Sequence, residues 1–464
     1  MKILLLSPPY VKYYMRNARC DFVSLSKSQW YPIWLGNLGA FLEKHGFEVK
    51  LIDAPAAQLD HDATEEMVLE YKPDFLVVYA GRLSEDNDAA FADRLLEKLD
   101  IDGVFVGPYV SIEPGRIVGK SKRIYRAVKG EFEYPVLEIL QGKPDAAIAN
   151  LVFRQDDETV CNPERPYLTR EELDSIPFVT EFFSRQLDFR HYRTPSEFYP
   201  FVDLMTGRGC AWGKCTYCLW VHTFICGNVY NSRSVDNVVE EFQFIERQLP
   251  QIKSVMIQDD TLVEKRAREI SEGLIKAGIR KKWSCYVRGN IGYETLQVMK
   301  RAGCRNLHVG YESASPEILQ NIKKGVTRES MIRFSRDAKR AGLRLHGDFA
   351  IGFPGETRES VQATIDLACQ MRPHTAQFQL MIPFPGTPFY DELAAKGQLK
   401  DGCPNYPGLS TEELEEWAKK AYRKYYFSPW FLKEILKHPQ EMFFSRFETY
   451  MRAIPSIFWK KYVR

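Results

Sequence analysis

Cys210, Cys215 and Cys218 fall within nine residues, in Cys210-Ala-Trp-Gly-Lys-Cys215-Thr-Tyr-Cys218, and Cys226 follows closely. Three thiolates on one tight loop can hold three corners of an iron–sulfur cube and leave the fourth iron open to a cofactor or substrate. The same loop with Cys226 as a fourth ligand would make a zinc knuckle. Zinc sites more often pair two Cys-x2-Cys units, and the sequence has no second pair. A third reading is three unrelated thiols. The remaining cysteines, Cys20, Cys161, Cys285, Cys304, Cys369 and Cys403, are scattered, and each reads as a small buried apolar residue.

The elements that must position this loop are a run of strands and helices. Between residues 201 and 395 the candidate strands are Phe201–Met205, Ser254–Gln258, Trp283–Val287, Asn306–Gly310, Leu345–Ile351 and Ala376–Ile382. Helical stripes lie between them: Val238, Phe242, Ile245 and Leu249 share one face, as do Val263, Ala267, Ile270 and Leu274. Thr261 with Glu264 reads as a capping box, and Ser315-Pro316-Glu317 and Thr357 read as helix starts. Six strand–helix units are two short of a full barrel, so an incomplete parallel (β/α)6 barrel is expected. The cysteine loop then lies just past the first strand, at the end where parallel barrels carry their active-site loops.

Upstream, residues 1–141 alternate continuous apolar runs (Ile3–Leu6, Val49–Ile52, Phe75–Tyr79, Val104–Val106, Ile124–Val128) with amphipathic stretches such as Leu35–His45. This predicts an α/β domain with a doubly wound parallel sheet, of the kind that binds ligands beyond the carboxyl ends of its strands. Residues 142–200 read as a connector with a hairpin over Asn150–Cys161 and, from the prolines at 163, 166, 177 and 195, little regular structure after it. Residues 396–464 read as helical and aromatic, starting at a capping box, Ser410 with Glu413.

The 464 residues suggest about three domains. Lysine and arginine number 63 against 61 aspartates and glutamates, a balance that offers no electrostatic reason for a nucleic-acid partner. No apolar run is long enough for a membrane span, and Ile3–Leu6 is too short for a signal-peptide core. The cytoplasm is the expected location. The tail from Met442 to Arg464 interleaves aromatic and basic residues. Peripheral contact with an anionic membrane is one reading of it, and a terminal helix packed on the barrel is the other.

Further motifs close the later strands: His308-Val-Gly-Tyr-Glu312-Ser313, Gly347-Asp-Phe-Ala-Ile-Gly352-Phe-Pro-Gly355-Glu-Thr357 and Ile382-Pro-Phe-Pro-Gly386-Thr-Pro-Phe-Tyr390. With Thr206-Gly-Arg-Gly-Cys210 and the cysteine loop, they resemble the radical S-adenosylmethionine superfamily, in particular the branch with an N-terminal cobalamin-binding domain. The resemblance covers nearly the whole chain. In the N-terminal part it rests on Leu6-Ser-Pro-Pro9, Val106-Gly-Pro108 and Lys129-Gly-Glu131-Phe-Glu133. Two features depart from the family pattern. The first cysteine gap is four residues rather than three, and no Asp-x-His-x-x-Gly sequence supplies a histidine to cobalt.

The resemblance implies that Cys210, Cys215 and Cys218 ligate a 4Fe–4S cluster whose open iron chelates S-adenosylmethionine. An electron from a donor such as flavodoxin or ferredoxin would then release a 5′-deoxyadenosyl radical, chemistry that belongs to the cofactor. Tyr217 fits the aromatic habit before the last cysteine. Glu312 is expected to accept the ribose hydroxyls with help from Ser313, and Gly352 and Gly355 to let backbone approach the cofactor. Asp260, with Asp259, reads equally as a ligand for the methionine ammonium or substrate and as a helix cap. Arg288 reads as a partner for a carboxylate or phosphate. Tyr286 and Tyr311 read as core residues, and His308 and His346 as satisfied core histidines rather than metal ligands. Cobalamin is expected along the edge formed by Ser7, Pro8, residues 81–84, Gly107, Pro108, Gly130 and Glu131, with no protein histidine on cobalt.

The implied reaction is methylation of an unactivated carbon or a phosphorus centre in a small-molecule or lipid-like substrate. Ring closure, ring contraction or oxidation with the same cofactors is the alternative. A corrinoid carrier or a zinc-stabilised scaffold is the non-enzyme alternative. A methylthiotransferase is disfavoured, because only Cys20 and Cys161 precede residue 210.

Overall fold

The computed structural model describes residues 1–16, 21–24, 28–156 and 158–437. The N-terminal sheet contains β1 (Lys2–Ser7), β2 (Glu48–Asp53), β3 (Phe75–Tyr79), β4 (Asp102–Val106), β5 (Arg126–Val128), β6 (Leu151–Gln155) and β7 (Glu158–Cys161). Their spatial order is β2-β1-β3-β4-β5-β6-β7. β1 to β5 are parallel, with Leu5 beside Leu51 and Leu6 beside Val78. The run Ile3–Leu6 is wholly buried because both faces are covered. Successive side chains point to opposite faces, so Leu4 and Leu6 enter one core while Ile3 and Leu5 enter another that continues into the barrel.

The Asn150–Cys161 hairpin forms, but it is not a connector. β6 pairs antiparallel with β5 and extends the first sheet by two strands. The stretch after it is also more regular than its prolines suggest, with helices at Arg170–Ser175 and Val179–Gln186. The second of these docks on the helix Ile33–Lys44. A Cβ on Gly39 would stand 2.2 Å from the ring of Phe182, and one on Gly36 would stand 2.4 Å from Phe183. The two glycines therefore set how closely these helices approach.

The second sheet is six parallel strands in chain order: β8 (Phe201–Leu204), β9 (Ser254–Ile257), β10 (Lys282–Val287), β11 (Cys304–Glu312), β12 (Arg344–Ile351) and β13 (Thr375–Leu380). Helices follow the strands in the expected rhythm. Ser315 and Thr357 are N-caps as read, accepting from the N–H of Ile318 and Ser360. The Thr261 capping box does not form. That helix starts at Glu264, with Val263 at its N-cap and no capping side chain. Ser410 caps the helix Thr411–Tyr426 by accepting from the Glu413 N–H.

The outer faces of β12 and β13 are aromatic. The rings of Phe349 and Phe378 stack 5.3 Å apart, and the rings of Tyr422 and Tyr425 pack on Phe378 from the helix Thr411–Tyr426. The inner faces differ. Arg344, His346 and Asp348 on β12, and Thr375, Gln377 and Gln379 on β13, alternate with buried residues yet keep partial access to solvent. The lumen is thus polar and open on this side, unlike the packed aliphatic interior of a closed barrel. The expected tail helix and its membrane contact fall at 442–464, outside the described residues. Among the described residues no helix is long and apolar enough to cross a membrane.

Candidate active site

The cysteine loop hangs from β8. Immediately after that strand, the Asp259 carboxylate accepts from the Thr206 N–H (2.6 Å), the Thr206 hydroxyl (2.5 Å), the Gly207 N–H (3.1 Å) and the Tyr230 hydroxyl (2.9 Å). Gly207–Gly209 then pairs antiparallel with Tyr230–Ser232 and closes the base of the loop. Within the loop, Gly213 has φ +56°, and a Cβ there would stand 2.1 Å from the Gly227 carbonyl oxygen. Glycine is required on both counts. Trp212, in the first gap, packs against the turn at Gly325. Its indole N–H donates to the Lys323 carbonyl at 2.8 Å, and the Arg288 guanidinium lies 4.3 Å from its ring centroid.

Cys210, Cys215 and Cys218 are partly exposed and lie close enough to perturb one another. Burial pushes the Cys218 thiol up to about 12, with the Cys215 and Cys210 sulfurs and Asp260 adding to the effect. Three mutually close thiols on a single accessible loop fit a cubane with one open iron. Cys226 does not join them. Its N–H donates to the Tyr167 hydroxyl at 2.8 Å, and the charged groups around its thiol are Glu164 and Lys129. The zinc knuckle therefore lacks its fourth ligand.

Glu312 ends β11 at a register shift and has φ +63°, a left-handed conformation unusual for such a residue. The bulge turns its carboxylate toward the cysteine loop. Oε1 accepts from the Tyr217 hydroxyl at 2.9 Å and from Lys324 Nζ at 2.7 Å, and Lys324 also donates to the Tyr217 hydroxyl at 3.1 Å. Burial works against charge on Lys324, yet Glu312 outweighs it and holds the ammonium above its ordinary range. The structure brings together Glu312 and Tyr217, both singled out in sequence, with Lys324, which was not. Its only signal was Lys323-Lys324-Gly325 in the turn after a strand-end helix.

The other expected residues separate. Asp260 faces Cys218, while its neighbour Asp259 is committed to the loop base. Ser313 is fully buried, its hydroxyl 3.3 Å from Thr364 Oγ1 and accepting from the Ser315 N–H, so it shapes a helix start rather than reaching the site. Gly352 has φ +104° and accepts from the Tyr406 hydroxyl through its carbonyl at 2.9 Å. Arg288 reaches the turn beside the loop by donating to the Lys324 carbonyl.

A narrow cleft, open to solvent and enclosing about 20 Å³, lies between the carboxyl edge of the first sheet and the barrel. Ala80, Gly81, Arg82 and Pro108 line it from the sheet, and Leu219, next to Cys218, and Phe384 line it from the barrel. Gly107 leads into Pro108, and Gly130 donates its N–H to Ser111 Oγ at 2.8 Å. Ser7 and Pro8 sit behind Arg16, which donates to the Pro8 carbonyl at 2.7 Å and pairs with Asp88 at 2.6 Å. Glu131 turns away from this edge. Its carboxylate accepts from Arg208 at 2.8 Å and from the Leu168 N–H at 2.8 Å, in the joint between sheet and barrel. Of the expected edge, Gly81, Arg82 and Pro108 border the cleft, among the larger side chains of Arg16, Tyr79 and Tyr109, while Ser7, Pro8, Gly107 and Gly130 do not line it.

Residues 204–368 match the Radical SAM superfamily. The chain is also 30% identical over 460 residues to the uncharacterized methyltransferase PH0819 of Pyrococcus horikoshii, covering 94% of this chain and 95% of that one. The chain belongs to the radical S-adenosylmethionine superfamily. Its fold is similar to that of the methyltransferase TsrM from Kitasatospora setae, solved with cobalamin and a [4Fe–4S] cluster, at a TM-score of 0.66 and 22% identity, over 85% of this chain and 78% of that one. It is also similar to that of the cobalamin-dependent radical enzyme OxsB, at a TM-score of 0.71 and 14% identity, over 99% of this chain and 74% of that one. These likenesses span the N-terminal sheet as well as the barrel, the architecture of the cobalamin-binding branch. As a radical S-adenosylmethionine enzyme, the chain has a 4Fe–4S cluster and S-adenosylmethionine as cofactors.

Proposed function

We propose that this radical S-adenosylmethionine enzyme binds cobalamin in the cleft between sheet and barrel and methylates a small, polar molecule held in the lumen. The observation that carries this reading is the cleft itself, where Pro108 of the sheet edge and Leu219 beside Cys218 line one space. A methyl carrier seated there stands next to the radical source. When bound, the cluster and cobalamin supply reductive cleavage of S-adenosylmethionine and a transferable methyl group.

The chain's own residues bind, orient and exclude water. Glu312 offers acceptors for ribose hydroxyls, with Tyr217 and Lys324 fixing its carboxylate. Asp260 faces the cluster loop, where an ammonium would be drawn to it. Phe384 and Leu219 line the cleft on the barrel side. The accessible His346, Asp348, Gln377 and Gln379 favour a hydrogen-bonding substrate over a hydrocarbon one. An electron donor of the flavodoxin or ferredoxin class, in the cytoplasm, completes the system.

The test is anaerobic incubation of the reconstituted protein with S-adenosylmethionine and reductant, with and without cobalamin. 5′-Deoxyadenosine reports the radical step and S-adenosylhomocysteine reports methylation of the carrier. A protein that makes the former but neither retains a corrinoid nor makes the latter is not a cobalamin methyltransferase.

A further inference from the structure

His308, His346 and Asp348 offer three ligating atoms that all lie within 4.8 Å of one another. His308 and His346 are register partners on β11 and β12, with ring centroids 4.9 Å apart. Asp348 is the next inward residue along β12, and its Oδ1 is 3.2 Å from His346 Nε2. The trio follows from sheet geometry: parallel register sets 308 beside 346, and the two-residue period sets 346 and 348 on one face.

The surroundings have the form of a ligand site. His346 Nδ1 is 2.7 Å from Thr375 Oγ1. With that hydroxyl accepting the Nδ1 proton, Nε2 presents its lone pair toward Asp348, as an outer partner arranges a metal-bound imidazole. The rings of Tyr286, 5.0 Å away, and Trp30, 6.4 Å away, wall off His308. His346 and Asp348 keep access to the lumen, which leaves coordination positions on that side.

We infer that this trio binds one divalent first-row transition ion in the barrel lumen. Two imidazoles and one carboxylate are the donor set of catalytic zinc sites and of non-haem iron sites with open positions. Metal–nitrogen bonds of about 2.0–2.1 Å put the ligand atoms of a tetrahedral site about 3.3 Å apart, a spacing His346 Nε2 and Asp348 Oδ1 already have at 3.2 Å. Two charges on the ion against one carboxylate leave a net positive centre. It suits a substrate oxygen donor such as a carboxylate or an ionised hydroxyl. The site is independent of the cofactor reading above, since a metal can be bound or absent whichever reaction the cluster serves.

The experiment uses the full-length protein with its cluster reconstituted, dialysed anaerobically against micromolar zinc chloride, with zinc, iron and sulfide measured per chain. One zinc per chain beyond the cluster metal is expected. His346→Ala and Asp348→Ala lose it while iron and sulfide stay at the wild-type level. Thr375→Val leaves all three ligands in place and weakens zinc binding about 10–100-fold, and it decides the matter should a ligand variant lose its cluster. Wild-type protein without the extra zinc, or all three variants binding it undiminished, overturns the site. S-adenosylmethionine cleavage by zinc-free protein is read separately, so failure of this site and failure of the proposed reaction are distinguishable.

Discussion

Arg208, two residues before Cys210, donates to Glu133 Oε1 at 2.6 Å, and both side chains are buried. Its other nitrogen donates to Glu131 at 2.8 Å, and its guanidinium lies 4.8 Å from the ring centroid of Trp34. The edge of the first sheet is thereby bolted to the base of the cysteine loop. The same joint is packed by Trp34, whose ring stacks 6.2 Å from that of Trp220.

Arg208→Ala leaves two carboxylates buried without a countercharge. Removing one partner of such a set typically costs about 3–5 kcal/mol. Chemical denaturation should show a loss of that size, and iron per chain should fall with it. A variant as stable as the wild type, with full iron, would remove the joint from the account.

Cys215→Ala should abolish both iron binding and S-adenosylmethionine cleavage, because three thiolates are the minimum for a cube with one open iron. Cys226→Ala should keep full iron and sulfide, since its thiol faces Glu164 and Lys129 rather than the cluster loop. Iron and zinc contents after anaerobic purification check both. Cluster loss in Cys226→Ala, with zinc in the wild type, would restore the knuckle.

Glu312→Gln should weaken S-adenosylmethionine binding while leaving the cluster in place. The lost charge-assisted hydrogen bonds are each worth about 1.5–3 kcal/mol, or roughly a tenfold change or more in affinity. Equilibrium dialysis with the cofactor reads this directly. Unchanged affinity would assign Glu312 to the ion pair with Lys324 alone.

Asp53 ends β2, and its Oδ2 accepts from the Tyr192 hydroxyl at 3.0 Å. Burial pushes its carboxyl up to about 6, against the opposing pull of Tyr192 and Arg16. The folded state therefore holds this proton more tightly than the unfolded chain. The associated stability is present at low pH and is lost as pH rises through about 6. Asp53→Asn keeps an oxygen for Tyr192 and cannot ionise. It should be more stable than the wild type at pH 8, by on the order of 2 kcal/mol, and should match it near pH 4. Denaturation midpoints at the two pH values test the sign; a gap that widens toward acid would reverse it.

Much of the architecture was legible because its signals are local. Continuous apolar runs mark strands buried on both faces, so β1, β3 and the barrel strands fall within a few residues of their expected ends. That Cys210, Cys215 and Cys218 lie close together was legible for the same reason, since one nine-residue loop carries all three. Helix starts were legible where a side chain caps its own turn, as at Ser315 and Thr357, and misread at Thr261, where the chain stays extended through Val263.

What only the tertiary structure decided depends on contacts between residues far apart in the chain. Asp259 and Asp260 are neighbours of identical chemistry, and their roles part because one meets Thr206 and Tyr230 while the other faces Cys218. Glu131 looked like part of a cofactor edge until Arg208, 77 residues away, claimed it. Lys324 gained meaning from Glu312 and Tyr217. His308 and His346 read as two separate core histidines in sequence. Strand register brought them together with Asp348, because which residues of neighbouring strands stand side by side is set by the packing of whole strands and helices and leaves no trace in the spacing along one chain.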